Sequence, residues 1–238
     1  MKLSIIVPAY NEEATIAKTL EGLTSQTYKD MEIIVIDNNS KDKTSEIAKK
    51  YVDKVYLETN QGYIHAVIRG AAEATGDIIT FCDADTMYPK TWAAKAMKNF
   101  NKDKIVVVYG TCDTYDASKI GNFFNYIGYT AFLYISILFR LHNTSGFNFL
   151  MRKEAYEKVN GYDPKFQKMS PDIELGRRLS KLGKIKFVPT LKVSGSARRF
   201  QEGGNTKTFW MFAKAWWSMV RNKVPDIDYN EYNQIKTS

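Results

Sequence analysis

LSIIVPAYNE, residues 3–12, reads as a short apolar strand running into a polar loop. The same pattern returns as EIIVIDNNSKD at 32–42 and DIITFCDAD at 77–85. Helical patterns follow from Glu12, Asp42 and Tyr63, and KVYLE at 54–58 supplies a further strand. Strands alternating with helices imply crossover units and a mostly parallel sheet. Ligands of such sheets collect at the carboxyl ends of the strands, so the loops 9–12, 37–42 and 83–85 are expected to meet on one edge. After residue 100 come a strand IVVVYG (105–110), an aromatic helix, a strand-like GFNFLM (146–151), a helix from Lys153, a second helix over 172–182 and a strand IKFVP (185–189). The tail beyond Gly204 carries Phe209, Trp210, Phe212, Trp216 and Trp217 on a helical face, which predicts a helix packed on the body of the domain.

The 238 residues, 44% hydrophobic, suffice for one large domain with a sizeable core. Cys82 and Cys112 lack metal-ligand spacing and sit in apolar runs, so buried free thiols and a reducing, cytoplasmic setting are expected. The start, from Met1 to Pro8, is too short and too soon polar for a signal peptide. The net charge of +8 is concentrated: between Lys181 and Lys223 there are ten Lys or Arg and one acid, Glu202. Such a patch suits a nucleoside diphosphate or an anionic membrane surface. No nucleic-acid-binding motif accompanies it, so nucleic acid is not an expected partner. The run FFNYIGYTAFLYISILF (123–139) is at the lower limit of a bilayer span and is interrupted by Asn125, Gly128 and tyrosines. It predicts an interfacial or acceptor-lining helix and peripheral membrane contact.

Asp83 and Asp85 form a D-x-D at the end of a strand. Carboxylates one residue apart supply oxygen ligands suited to Mg²⁺ or Mn²⁺ on a phosphorylated substrate. By themselves they equally close a turn or cap a helix.

In order along the chain, Ile5-Ile6-Val7-Pro8-Ala9-Tyr10-Asn11-Glu12, Val35-Ile36-Asp37-Asn38-Asn39-Ser40, Asn60-x-Gly62, Ala74-x-Gly76-Asp77 and the D-x-D are followed by Gly146-Phe147-Asn148-Phe149, Asn160-Gly161-Tyr162-Asp163, Asp172-x-Glu174-Leu175 and Ser196-x-Arg198-Arg199-Phe200. This ordered set, spanning residues 3 to about 200, resembles the family 2 glycosyltransferases. The resemblance implies the GT-A fold: a Rossmann-like α/β domain with a mixed, mostly parallel central sheet flanked by helices. It implies a catalytic domain over 1–204, with donor binding in 1–110 and acceptor binding and catalysis in 111–204, and an extension over 205–238. It also implies transfer of a sugar from a nucleotide-diphosphate sugar to a glycan or lipid-linked acceptor, with inversion and with Mg²⁺ or Mn²⁺.

Residue by residue, the resemblance assigns Pro8, Ala9, Tyr10, Glu12, Asp37, Asn39, Asp83 and Ala84 to the nucleotide. Tyr10 offers a stacking face and Asp37 an acceptor for a ring N–H. Asp85, helped by Asp83, is assigned to the metal, and Gly146 and Asn148 to the acceptor side. Asp172 matches the position of the general base. The residue before it, an acid in relatives, is Pro171 here. Glu174 is a substitute base only on paper, because two helical residues turn a side chain by about 200°. Many relatives carry an Arg at Val67. Arg69 lies two positions late, so Arg198 and Arg199 are expected to neutralise the diphosphate.

The Gln-x-x-Arg-Trp signature of processive relatives is missing, which favours transfer of a single sugar. The stretch from Tyr63 to Asp85 also resembles polyprenyl-phosphate glycosyltransferases, an alternative acceptor class. A phosphohydrolase with strand-terminal D-x-D would need Thr where Met87 stands. A nucleotidyltransferase would need a Gly-rich basic loop after the first strand. A non-catalytic nucleotide-sugar-binding protein is the rival from another class, motivated by Pro171 and Val67.

Overall fold

The computed structural model describes residues 1–101, 104–139, 141–166, 171–196, 205–221, 223 and 225. Seven strands, β1 (Leu3–Ala9), β2 (Met31–Asp37), β3 (Lys54–Leu57), β4 (Ile78–Phe81), β5 (Ile105–Thr114), β6 (Phe149–Arg152) and β7 (Lys184–Gly195), form one sheet. Its order is β3-β2-β1-β4-β6-β5-β7. Only β6 runs against its neighbours; every other pairing is parallel. The sheet is mixed and mostly parallel, as its alternating elements predict. Side chains alternate across β1: Leu3, Ile5 and Val7 enter one core with Leu20, Leu23 and Trp92, while Ile6 enters the other with Val67, Phe81 and Leu175. Both faces are covered, which explains runs that are apolar without interruption.

The helices α1 (Ile16–Thr24), α2 (Thr44–Ala48), α3 (Tyr63–Glu73), α4 (Trp92–Met97), α5 (Lys119–Leu138), α6 (Lys153–Lys158), α7 (Pro171–Leu179) and α8 (Asn205–Val220) flank the sheet. Four elements depart most from the sequence reading. α1 starts at Ile16 instead of Glu12, because Asn11 adopts a left-handed φ of 54° and the Glu12 N–H is held by Thr44 Oγ1 at 2.8 Å. The six-residue α4, unread in the sequence, is too short for a helical period to show. Residues Gly146–Asn148 form a 3₁₀ turn, so β6 begins only at Phe149. β7 continues past Pro189 to Gly195, with a register break opposite Gly110 that accommodates the proline. A Cβ on Gly110 would stand 1.8 Å from the Leu191 carbonyl, so this crossing admits only glycine.

Cys82 and Cys112 are both free, and burial pushes each thiol up to about 12. α8 meets α5 through Trp216, whose indole N–H donates to Ser136 Oγ at 3.0 Å and whose ring lies against Phe132 and Phe139. Among the described residues, no helix is long and apolar enough to cross a membrane.

Candidate active site

Because β1, β2 and β4 are parallel, their carboxyl ends share one edge, and side chains lace the first two loops together. Asn11 accepts from the Lys41 N–H at 2.8 Å while its own N–H donates to Ser40 Oγ, and the Asn38 N–H donates to the Ala9 carbonyl. Asp37, 6% exposed, accepts from the Ser40 N–H through Oδ1. Asn39 sits at φ 62°, a conformation Asn tolerates better than most residues. Tyr10 is exposed at the rim, Pro8 is half-buried and Ala9 is buried. Glu12 turns back to accept from the Thr15 hydroxyl at 2.7 Å.

The third loop is pinned on three sides. Thr19 donates to the Ala84 carbonyl at 2.9 Å, Met87 exchanges two backbone hydrogen bonds with Ser194, and the Tyr88 hydroxyl donates to the Phe147 carbonyl. The first contact anchors the acidic loop to α1, and the other two anchor it to the chain's second half. Asp83 is half-buried and Asp85 is 7% exposed. Arg69 is engaged away from this loop, paired with Glu73 and lying over the Tyr56 ring.

Asp172, in the first turn of α7, stands within the electrostatic reach of Asp83. Its Oδ1 accepts from the Tyr162 hydroxyl at 2.5 Å and its Oδ2 from the Gly146 N–H at 3.0 Å, while its carbonyl accepts from Thr144 Oγ1. Burial and the negative charge of Asp83 push its carboxyl up to about 7, against the lowering effect of those two hydrogen bonds. Asp83 and Asp172 come from opposite halves of the chain, yet each lies in the other's field. A Cβ on Gly146 would stand 2.9 Å from Asp172 Oδ2 and from the Tyr63 hydroxyl, so glycine is what lets the carboxylate approach the backbone.

Asn148 corrects the sequence reading. It is 1% exposed; its amide donates to the carbonyls of Thr111 and Leu191 and accepts from the Trp92 indole. Those bonds hold β5, β7 and α4 together, and leave Asn148 in the interior instead of beside an acceptor. Glu174 is held by Arg178 through both carboxylate oxygens, and Arg178 also donates to the carbonyls of Val159 and Gly161. The pair therefore braces the turn that delivers Tyr162 to Asp172. Tyr162 and Tyr63, which the sequence reading placed in motifs without a role, and Thr19 and Thr144, which it did not single out, are the contacts that build this site. His142, its imidazole pKa lowered by burial, faces the Tyr109 hydroxyl. Arg198 and Arg199 lie outside the described residues.

Asp83 and Asp85 offer oxygen donors only, and among the described residues no group of three or more His, Cys, Asp or Glu forms a closed metal cage. This donor set fits a hard divalent cation that takes its remaining ligands from phosphate and water. The residues present thus match Mg²⁺ or Mn²⁺.

The family model described as Glycosyl transferase family 2 matches residues 4–159. The "Probable glycosyltransferase YdaM" of Bacillus subtilis (strain 168) is 31% identical over 209 residues, covering 79% of this chain and 49% of that protein. A dolichol-phosphate mannosyltransferase of Pyrococcus furiosus is 39% identical over 101 residues, covering 37% of this chain and 27% of its own. The chain thus spans about half or less of the length of these relatives. Among solved structures, the mannosyltransferase PcManGT from Pyrobaculum calidifontis, in complex with GDP-Man and Mn²⁺, superposes with a TM-score of 0.65 at 20% identity. That alignment covers 84% of this chain and 60% of the other.

Proposed function

The chain belongs to glycosyl transferase family 2 and has the GT-A fold, and from that premise we propose that it moves one sugar from a nucleotide-diphosphate sugar to an acceptor, with inversion at the anomeric carbon. The observation that carries this reading is Asp172, held by the Tyr162 hydroxyl and the Gly146 N–H within the field of Asp83, where burial and that charge push its carboxyl up to about 7. A carboxylate of that pKa accepts a proton near neutral pH, where an acceptor hydroxyl must lose one. Residues 1–204 form the catalytic unit in this reading, and residues 205–238 are its extension.

On the donor side, Tyr10 stacks on the base and Asp37 accepts from it through its second oxygen. Pro8, Ala9, Glu12, Asn39 and Ala84 shape the nucleotide pocket, with Asp83 beside the ribose. Asp85, assisted by Asp83, holds the divalent cation. When bound, that cation offsets charge on the departing nucleoside diphosphate. Arg198 and Arg199 add cationic hydrogen bonds to the same phosphates. On the acceptor side, the Gly146 N–H and the Tyr162 hydroxyl each hold one oxygen of Asp172 and so orient the base.

Thermal-shift titration tests the donor assignment. GDP-, UDP- or dTDP-sugar with Mn²⁺ should raise the melting temperature, because a ligand of the native state stabilises it by mass action. Absence of a shift with all three would remove the donor assignment. Tyr162→Phe keeps the ring packing on Phe81 at 5.3 Å and deletes only the hydroxyl. The deleted bond holds the Asp172 pKa down, so the pH midpoint of transfer should move upward and the rate should fall about tenfold. An unchanged pH profile would show that Tyr162 does not position the base.

The acceptor is a glycan hydroxyl or a lipid-linked hydroxyl or phosphate. The lipid-linked class is favoured by the exposed aromatic helix α5 and by local identity to the dolichol-phosphate mannosyltransferase. In that reading the protein acts in the cytoplasm, peripherally at a membrane's inner face.

A further inference from the structure

The inward side of α5 packs Leu133, Phe132 and Ile137 on the core and also carries its hydrogen-bonding groups. Asn122 accepts from the Thr114 N–H, Thr130 meets Thr111, Tyr129 meets Ser145 and Ser136 receives the Trp216 indole. Its outward side carries Ile120, Phe124, Ile127, Ala131, Tyr134 and Leu138, all exposed, at spacings of four, three, four, three and four residues. Ile120 is 73%, Phe124 65% and Leu138 82% exposed. This uncharged stripe runs the full 20 residues, ~30 Å of helix. Burying a single such side chain is worth ~1.5–3 kcal/mol, so a stripe left in water calls for a cover.

The neighbouring α8 packs on α5 and turns outward Trp210, Lys214 and Trp217, followed by Arg221 just past its end, at helical spacings of four, three and four. Trp with Lys or Arg is the pairing that settles at headgroup level. The charge agrees: residues 205–223 carry Lys207, Lys214, Arg221 and Lys223 and no acid. A second copy of the chain would bring two such basic segments together across the seam, whereas anionic lipid would neutralise them.

We infer that the outward faces of α5 and α8 together form the docking surface for an anionic lipid bilayer, with both helices lying in the interface plane. The inference rests on the peripheral-membrane reading above and is independent of sugar transfer. It places the exposed aromatic stripe at the acyl boundary and Lys214 and Arg221 among the phosphates.

Co-sedimentation of the full chain with vesicles of equimolar phosphatidylglycerol and phosphatidylcholine tests it, with pure phosphatidylcholine vesicles alongside. The chain should bind the anionic vesicles and leave the neutral ones. The triple variant Phe124→Gln, Ile127→Gln, Leu138→Gln replaces exposed side chains only and should lower partitioning at least tenfold, with nucleotide-dependent thermal shift intact. The double variant Lys214→Gln, Arg221→Gln should lower it ~5-fold per charge, an effect that disappears in high salt. Equal binding by both variants would overturn this face while leaving peripheral binding standing. Failure of the unaltered chain to bind would overturn both. A lipid-free dimer in sedimentation velocity, dissolved by the triple variant, would assign the face to a second copy and overturn the inference.

Discussion

Asp172→Asn is expected to lower the rate of sugar transfer on the order of 10³-fold, with donor binding unchanged. The amide keeps one acceptor oxygen for Tyr162 or the Gly146 N–H but accepts no proton from an acceptor hydroxyl. For the unaltered chain, the rate should rise with pH and level off above about 7, because only the ionised Asp172 accepts a proton. The same raised pKa has a cost in stability. A carboxyl that holds its proton more tightly when folded favours the fold fully at pH below ~4, where both states are protonated. That contribution falls as pH rises towards 7, and above 7 the ionised, buried group opposes the fold. Asp172→Asn should therefore melt higher than the unaltered chain at pH 8 and nearly with it at pH 4. Calorimetry at the two pH values, beside initial rates, checks both halves. Retained transfer would remove the base assignment; lost transfer without gain in stability would show that Asp172 is not raised.

The fold was legible where one physical cause dominates. β1, β2 and β4 bury both faces, so their apolar runs carry no competing pattern, and their carboxyl-end loops meet as parallel topology requires. Boundaries were less legible because tertiary bonds move them: α1 waits until Ile16 because Thr44, in another loop, holds the Glu12 N–H. In the site, the loops that follow β1, β2 and β4 fell on one sheet edge, where the sequence put them. Asn148 did not, since a polar residue inside a motif looks the same whether it points at a ligand or, as here, at Trp92, Thr111 and Leu191. The Tyr162 contact was also hidden: Asn160-Gly161-Tyr162 announces a turn, but only the Glu174–Arg178 brace aims the hydroxyl at Asp172. Sugar and base identity depend on pocket shape, which motifs do not encode.

Asp85→Asn is the second substitution with a large expected effect, and its contrast with Asp83→Asn separates two carboxylates that the D-x-D motif makes look equivalent. Replacing Asp85, the assigned metal ligand, should abolish the Mn²⁺-dependent part of stabilisation by a nucleoside diphosphate. At a ligand concentration of 100 Kd the whole stabilisation by the metal-loaded ligand is ~2.7 kcal/mol, so loss of its Mn²⁺-dependent share can be read in a melting curve. Binding of the nucleoside alone should survive, since Tyr10 and Asp37 are untouched. Asp83 differs because its charge reaches Asp172 and contributes to raising that pKa. Asp83→Asn should therefore move the pH midpoint of transfer downward, a shift in the direction opposite to Tyr162→Phe. Manganese titrations of melting temperature and pH–rate profiles of both variants distinguish the roles. If Asp85→Asn keeps its full Mn²⁺ response while Asp83→Asn loses it, the metal assignment passes to Asp83. If neither loses it, the acidic loop is not the metal site, and its position beneath the Thr19 hydroxyl and beside Ser194 serves the nucleotide alone.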